Sequence, residues 1–282
     1  EPSIDVDSEA ELTSILSTCA LLKTPATIHA EDREIVETRL GEYRGKPLGI
    51  EDYSYVHGPE AESIAVSRAL EVAGASGATI HLCHITLASS VAAIKEARQR
   101  GIAVSCEFTP HHLSLSRKAI EQFGGWALSD PPLRDPQNAR TLLKELSSTP
   151  FAIVASDHAP HSLAEKSSQD AREIKTGIPG LETTLPLMLN HVNKGYLSLS
   201  TLVEILAKRP ARIFKLQGKG ALAEGSDADI TLLDLNTEHM IDPEKFHSKS
   251  RYSPFAGTKC KGKVSKVFVG GKLVLDGEEI TT

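Results

Sequence analysis

Short apolar runs alternate with amphipathic stretches along most of the chain. The apolar runs cover residues 26–28, 78–84, 102–106 and 151–155, and polar residues follow each of them. Between the runs, apolar residues recur every three or four positions, which predicts helices. Repeated units of strand, polar loop and helix predict a parallel α/β architecture. The runs lack a clean polar–apolar alternation, which is typical of strands that are buried on both faces.

Capping residues predict where several helices begin and end. Asp7 or Ser8 is expected to cap the first helix, and Pro25 should lie beyond its end. Pro59 suits the first position of a later helix, which should end near Gly77. The stretch between the first apolar run and Pro59 is polar, and no helix is predicted there.

The pattern changes near the end of the chain. The segments 227–234 and 263–269 alternate polar and apolar residues, as antiparallel strands do. Gly270-Gly271 then predicts a hairpin turn. We therefore expect an α/β part over residues 1–217 and a β-strand module over residues 218–282.

The composition is that of an ordinary globular protein, with 40% hydrophobic and 24% charged residues and a formal net charge of -6. This acidic balance gives no reason to expect nucleic acid or an anionic membrane as partner. No apolar run approaches the roughly 18 residues of a membrane span. The four cysteines form no CxxC pair, so reduced thiols and a cytoplasmic location are expected.

Metal-binding types of side chain follow three of the predicted strands. His29, His84 and Asp157 each stand at the carboxyl end of a different strand. In (β/α)8 barrels, this edge of the sheet is the catalytic rim. Imidazole and carboxylate groups are ligands that zinc prefers. A single histidine at a strand end is as often a structural hydrogen-bonding residue as a metal ligand. Three such residues at three strand ends together predict a metal site.

Several segments carry distinctive combinations of residues. They read HLCHIT (81–86), CEFTPHHL (106–113), SDHAPH (156–161) and GIPGLET (177–183), with SPFAG (253–257) and GKV (262–264) near the end. These segments resemble motifs of the dihydroorotases, which are zinc-dependent cyclic-amide hydrolases of pyrimidine synthesis. The resemblance covers essentially the whole chain.

The resemblance implies a metal-dependent hydrolase (β/α)8 barrel with two zinc ions per active site. This chain would hold strands 5–8 of the barrel and part of a small β-sandwich module. His29 and His84 would bind one metal, and Asp157 would bind the other and move the proton in catalysis. His161, which matches a carboxylate-binding histidine, and Gly177, through its backbone, would contact the substrate.

Asp130 stands where the family usually has a substrate-binding asparagine. Asp130 is therefore also expected at the substrate, although its charge disfavours a substrate with a carboxylate. This substitution keeps other cyclic amidohydrolases open as alternatives, namely a hydantoinase, a dihydropyrimidinase or an allantoinase. His161 argues against them because a basic residue suits the carboxylate of dihydroorotate.

The implied reaction is the reversible hydrolysis of (S)-dihydroorotate to N-carbamoyl-L-aspartate in de novo UMP synthesis. A third alternative is an inactive, dihydroorotase-like scaffold for aspartate carbamoyltransferase. Such scaffolds typically lose metal ligands, whereas His29, His84 and Asp157 are all present. A complex with aspartate carbamoyltransferase and a homodimer are both family-level expectations.

The family's amino-terminal His-x-His pair and the ligand that bridges its two metals have no counterpart in this sequence, which opens with Glu1-Pro2-Ser3. We therefore expect a missing amino-terminal half as a partner that completes the barrel. Activity is expected only when that half is present.

For several other polar residues, a structural role is at least as well supported as a functional one. His81 is expected to pack in the core or to support the ligands, and His158 to form buried hydrogen bonds. For His111 and His112, and for Glu31 and Asp32, the alternatives are orienting the ligands or capping the next helix. Surface positions are expected for His57, His191, His239 and His247, and inert buried thiols for Cys83 and Cys106.

Overall fold

The computed structural model describes residues 8–281 and confirms the alternation of strands and helices. The helices in this range are α1 (Glu9–Leu22), α2 (Arg33–Gly41), α3 (Tyr53–Val56), α4 (Pro59–Ser76), α5 (Ala88–Gln99), α6 (Pro110–Ser114), α7 (Lys118–Phe123), α8 (Pro136–Ser148), α9 (Leu181–Asn193), α10 (Leu199–Val203) and α11 (Arg209–Ile213). The strands are β1 (Ala26–Ile28), β2 (Ile80–Leu82), β3 (Val104–Phe108), β4 (Ala152–Val154), β5 (Ile230–Met240), β6 (Lys259–Val269), β7 (Lys272–Asp276) and β8 (Glu279–Ile280).

Strands β1 to β4 form one parallel sheet in chain order. Ala26 pairs with Ile80, Ile80 pairs with Val104, and Cys106 pairs with Ala152. Helices α4, α5 and α8 lie between consecutive strands in the chain, as predicted for βαβ units. Every residue of β2 and of β4 is buried, as expected for a parallel sheet that is covered on both faces.

Local capping agrees with most of the predicted helix ends. Ser8 caps α1 through its hydroxyl, while Asp7 lies outside the described residues. Pro25 follows three residues after α1 ends. Pro59 is the first residue of α4, and Gly77 ends that helix with a φ of 69°, in the left-handed region that glycine adopts without strain.

Short helices occur in the polar stretch that we predicted without one, and in the segment after β3. Helices α2 and α3 lie in the polar stretch before Pro59, and α6 and α7 follow β3. Helices α2, α3 and α7 contribute only a few residues to a second apolar cluster, which includes Val36, Tyr53, Val56 and Ile120, whereas α6 contributes Leu113 to the main core. Helices this short present too few turns for a 3.6-residue period to be visible in the sequence.

Strands β5 to β8 form a second, antiparallel sheet in chain order. The predicted hairpin at Gly270-Gly271 is confirmed, with both residues at positive φ and Val269 paired with Lys272. Helix α9 contacts this sheet, since the Asn190 side chain binds the backbone of Lys259 and Lys261 in β6. Within residues 8–281, no helix combines the length and apolarity needed to cross a membrane.

The structure corrects two of the four histidines that we predicted at the surface. His57 and His191 are buried or nearly so, because each has a polar partner inside the fold. His247 is exposed as predicted, and His239 is partly exposed. His158 is also partly exposed, and its Nδ1 accepts hydrogen bonds from the backbone of Gly180 and Leu181.

Candidate metal centre

His29, His84 and Asp157 follow β1, β2 and β4 directly or within three residues. Because these strands belong to one parallel sheet, the three residues lie at the same edge. His84 and Asp157 have positive φ values of 33° and 44°. A left-handed conformation is costly for residues other than glycine and concentrates at functional sites. The backbone therefore marks these two strand ends as unusual.

The rings of His29 and His84 face each other at this edge. His29 Nδ1 lies 3.1 Å from His84 Nε2. Burial and the neighbouring His29 lower the pKa of His84 to about 4, so the His84 ring is neutral at physiological pH. Burial alone would lower the pKa of His29, but Glu31, Asp130 and Asp157 outweigh it and raise that pKa.

A carboxylate–histidine group surrounds this pair. His57 Nδ1 lies 2.9 Å from Glu31 Oε2 and 3.4 Å from Asp130 Oδ1. Burial alone would lower the pKa of His57, but Asp130 and Glu31 raise it to about 9. Burial would raise the pKa of Glu31, but hydrogen bonds with His29 and His57 lower it to about 2. Glu31 and His57 thus form an ion pair at neutral pH.

Asp157 lies on the other side of the edge, beside helix α6. Its Oδ2 is 3.9 Å from His111 Nε2. Burial, together with the charges of Glu107 and Asp130, raises the pKa of Asp157 to about 6, against the opposing effect of His29. Burial and the nearby His84 lower the pKa of His111 to about 3. A neutral imidazole therefore faces a carboxyl group whose pKa lies close to neutrality.

Buried hydrogen bonds support the site from behind. His81 binds Ser105 Oγ at 2.8 Å and Glu107 Oε2 at 2.9 Å through its two ring nitrogens, which confirms its place in the core. His112 binds Thr109, the capping residue of α6, and the Pro131 carbonyl. These contacts fix β3 and α6, and through them the position of His111.

Asp32 and the two strand cysteines have structural roles. Asp32 caps α2 by accepting a hydrogen bond from Ile35 N, and it also binds Arg68. Burial raises the pKa of Cys83 and of Cys106 to about 12. Both thiols therefore stay protonated, in agreement with the prediction that they are inert, although Cys83 is only partly buried.

His161 and Gly177 lie in the segment between β4 and α9. His161 Nε2 donates a hydrogen bond to the Thr176 carbonyl at 2.9 Å. Gly177 N donates to Leu128 O at 2.8 Å. A Cβ at Gly177 would lie 2.5 Å from Ala159, so the close approach of the two backbones requires glycine.

The Gly177 carbonyl also has partners within the protein. It accepts hydrogen bonds from Lys166 Nζ at 3.0 Å and from the Tyr252 hydroxyl at 3.1 Å. Both backbone groups of Gly177 are thus satisfied inside the fold.

The residues at the strand ends fit a metal ion chemically. Ligand atoms of His29, Glu31 and Asp130 lie within 4.8 Å of one another. Glu31 Oε1 and His111 Nε2 are buried and lack a hydrogen-bond partner among the described residues. Such orphaned atoms are costly unless a bound group satisfies them. A donor set of imidazole nitrogens and carboxylate oxygens suits zinc.

The structure thus brings together His29, His84 and Asp130. Asp157 lies at the same edge of the sheet, beside His111. The sequence reasoning missed His57 altogether and left the role of Glu31 undecided. Glu31 carried a weak signal, since it stands two residues after His29 at a strand end. His57 carried none, because it follows the short helix α3 rather than a strand.

Known proteins resemble this chain in sequence. It is 36% identical over 283 residues to a dihydroorotase of Anoxybacillus flavithermus, a match that covers 97% of this chain and 63% of that protein. It is 37% identical over 257 residues to a dihydroorotase of Methanothermobacter thermautotrophicus, which covers 90% of this chain and 57% of that protein. The chain therefore spans less than two thirds of the length of these relatives.

Solved structures share its fold. An L-hydantoinase (dihydropyrimidinase) from Arthrobacter aurescens superposes with a TM-score of 0.94 at 30% identity, over 98% of this chain and 62% of that one. A dihydropyrimidinase from Brevibacillus agri gives a TM-score of 0.90 at 29% identity, over 96% of this chain and 60% of that one. The model of the amidohydrolase family matches residues 6–274. The fold is accordingly the barrel-type amidohydrolase fold, and the chain belongs to the amidohydrolase family.

Proposed function

We propose that the complete protein is a zinc-dependent dihydroorotase of the cytoplasm. It would hydrolyse (S)-dihydroorotate reversibly to N-carbamoyl-L-aspartate, a step of pyrimidine synthesis. The observation that carries the proposal is the meeting of His29, His84 and Asp157 at one edge of a parallel sheet, two of them on left-handed backbone. The dihydroorotase relatives support the choice of substrate.

The finer architecture is part of the same proposal. Strands β1–β4 would be strands 5–8 of a (β/α)8 barrel, with a boundary between residues 217 and 218. Strands β5–β8 would belong to a small β-sandwich module. Among the described residues, β1 and β4 each pair on one side only, which supports an amino-terminal half as the segment that completes the barrel.

His29 and His84 would hold one zinc ion, and Asp157 would hold a second. The 3.1 Å between His29 Nδ1 and His84 Nε2 is close to the roughly 3.3 Å expected between two nitrogens on one tetrahedral zinc. Glu31 and Asp130 place carboxylate oxygens beside them. When bound, zinc would polarise the amide carbonyl and acidify the attacking water.

Asp157 would move the proton. Its carboxylate takes a proton from the attacking water and returns it to the ring nitrogen that leaves the carbonyl carbon. Burial raises the pKa of Asp157 to about 6, but the positive charge of bound zinc would lower it and keep the carboxylate ionised, ready to accept the proton. The neutral His111 ring beside Asp157 Oδ2 limits where that carboxylate can point. Cyclisation of carbamoyl-aspartate uses the same groups in reverse.

His161 would hold the substrate carboxylate. Its Nε2 already donates to the Thr176 carbonyl, so only Nδ1 is left for a ligand. Nδ1 carries a proton at the same time as Nε2 only in the imidazolium form. The charged ring would therefore bind the carboxylate with a charge-assisted hydrogen bond.

Asp130 and Gly177 are further proposed substrate contacts. His57, which also pairs with Glu31, lies 3.4 Å from Asp130 and offsets part of its charge, which reduces the repulsion of an anionic substrate. Because both backbone groups of Gly177 have partners, a substrate contact would exchange with one of those hydrogen bonds.

A hydantoinase or dihydropyrimidinase is the second candidate, because the solved structures named above carry these activities in their titles. The substrate rings of these enzymes, hydantoin and dihydrouracil, lack the carboxylate that His161 would bind. The two candidates therefore differ in whether activity depends on a carboxylate on the substrate ring.

The decisive experiment uses the complete natural protein. Intact mass, co-purifying polypeptides and zinc content would be measured, followed by hydrolysis of dihydroorotate, dihydrouracil and hydantoin on one sample. Zinc together with turnover of dihydroorotate alone is the expected result. Turnover of dihydrouracil or hydantoin instead would favour the second candidate, and zinc-free protein without turnover would contradict both.

The same preparation reports on partners. Its native mass distinguishes a monomer from the proposed homodimer. Co-purification with aspartate carbamoyltransferase activity would reveal the further complex that we propose.

A further inference from the structure

A pocket of about 560 Å³ lies behind α6, away from the strand ends. Its walls come from the segment Leu113–Ser116, from α8 and α9, and from Phe255 and Thr258 near the second sheet. None of the proposed metal or substrate residues lines it. Its volume is in the range of pockets that hold small organic ligands, roughly 300–1,000 Å³.

The charged side chains that line this pocket are all positive. Arg140 and Lys144 of α8 and Lys194 at the end of α9 stand at its rim, and its lining contains no Asp or Glu. No ion pair in the described part of the chain involves any of these three cations. A concave site with charge of one sign attracts ligands of the opposite sign.

The inner wall is apolar. It is formed by the side chains of Leu113, Leu115, Leu143, Leu187, Tyr196 and Phe255. Most of these are buried, and Tyr196 stays exposed. A ligand that fills the pocket would therefore place an apolar body against this wall and its charge at the rim.

One buried polar atom in the lining lacks a partner. His191 is only 7% exposed, and its Nε2 lies 3.0 Å from Ser114 Oγ. Its Nδ1 is buried and has no hydrogen-bond partner among the described residues. Burial and the charge of Lys194 lower the pKa of His191 to about 4, so the ring is neutral. When Ser114 donates to Nε2, Nδ1 carries the hydrogen and is a free donor.

We propose that this pocket binds a small organic anion, consisting of an apolar body and one phosphate or carboxylate group. The three cations and the Nδ1–H of His191 would bind the anionic group, and the leucines, Tyr196 and Phe255 would cover the apolar body. A buried donor beside a desolvated wall favours a small molecule over an acidic peptide, which would reach the exposed cations without entering the pocket.

Calorimetric titration of the complete protein with phenyl phosphate tests the proposal, with inorganic phosphate and phenol as the two half-ligands. Phenyl phosphate is expected to bind at one site per chain, and more tightly than either half. Its affinity should fall as salt concentration rises. Equal affinity for phenol and phenyl phosphate would overturn the anionic part of the proposal, and equal affinity for inorganic phosphate would overturn the apolar part.

Variants place the binding at this pocket. Replacing both α8 cations (Arg140→Gln with Lys144→Gln) keeps good helix formers on an exposed face, so folding should be preserved. The affinity for phenyl phosphate should fall about tenfold or more, as expected for loss of charge-assisted contacts. The control replaces two exposed lysines that do not line the pocket, Lys249→Gln with Lys272→Gln, and should change affinity little. Equal losses in both double variants, or none in the first, would overturn the proposal.

The buried histidine gives an independent test. His191→Asn keeps an amide near the position of Nδ1, whereas His191→Leu removes the donor. Binding is expected to weaken more in the leucine variant than in the asparagine variant. If the two variants bind phenyl phosphate equally and as tightly as the unchanged protein, His191 is no part of the site.

Discussion

The strand-end site and the pocket behind α6 share one short helix but have opposite character. Helix α6 carries His111, which faces Asp157, and it ends at Ser114, which faces the pocket. The strand-end site gathers partly buried carboxylates and histidines, two of them on strained backbone. The pocket gathers exposed cations on regular helices around an apolar wall.

This difference suits the strand-end site to catalysis and the pocket to ligand binding. At the strand ends, burial raises the pKa of Asp157 to about 6 and keeps the rings of His84 and His111 neutral, while close charges fix the Glu31–His57 ion pair. At the pocket, exposed cations can attract an anion, and its lining among the described residues contains no carboxylate that could exchange a proton with them. Substitutions at the strand ends should therefore change turnover, and substitutions at the pocket should change only ligand affinity.

The largest effect is expected from Asp157→Asn in the complete protein. The amide conserves volume but cannot accept and return a proton, so turnover should fall by about 10²–10⁴-fold or more. Steady-state hydrolysis of dihydroorotate measures the change, and the melting temperature checks the fold. Asp276→Asn, which breaks an exposed ion pair with Lys266, is the matched control and should keep normal turnover. Near-normal activity of Asp157→Asn would refute the proposed proton transfer.

Removal of a proposed ligand should act on the metal first. His29→Ala deletes one of the two facing imidazoles, and we expect zinc affinity to fall by more than the roughly 10–100-fold typical of losing an outer partner of a ligand. Zinc content after dialysis against a chelator measures this, with His247→Ala at an exposed position as the control. Unchanged zinc content would remove His29 from the ligand set.

A smaller effect is expected from His161→Ala. Loss of a hydrogen bond to a charged group should raise the KM for dihydroorotate about 10–100-fold. Zinc content should stay constant, because His161 is proposed to contact the substrate and not the metal. A variant that loses zinc but binds substrate normally would contradict the assigned role, and it would extend the metal site toward α9.

The sequence was informative for long segments with a regular hydrophobic pattern and for reactive side chains at the ends of strands. The parallel strands, α4 and the hairpin at Gly270-Gly271 were predicted because buried runs, Pro59 and paired glycines each act locally. His57 could not be predicted, since its burial depends on Glu31 and Asp130, which are distant in sequence. The pocket was equally invisible, because its cations and its apolar wall come from separate elements that only the fold brings together.

The smallest expected effect concerns Lys166, a buried counterpart to the exposed cations of the pocket. Its ammonium group donates to the carbonyls of Leu128, Lys175 and Gly177, and burial lowers its pKa from 10.5 to about 7. Between pH 7 and 10.5 the unfolded chain therefore holds a proton that the folded chain has released. Because of this group, the free energy of unfolding rises with pH across that window, by at most about 1.4 kcal/mol per pH unit. Below the window, the buried lysine destabilises the folded chain by its full amount.

Replacing this lysine with an apolar residue should remove that pH dependence. The neighbouring Tyr252, whose pKa burial raises to about 12, titrates in the unfolded chain only near pH 10, so the comparison is made between pH 7 and about 9. Urea unfolding of the complete protein at several pH values would compare the unchanged chain with Lys166→Met, and the exposed Lys249→Met is the control. We expect the slope of stability against pH to be smaller in Lys166→Met alone. Parallel slopes in all three proteins would mean that Lys166 keeps its proton, because its three carbonyl partners then outweigh the effect of burial.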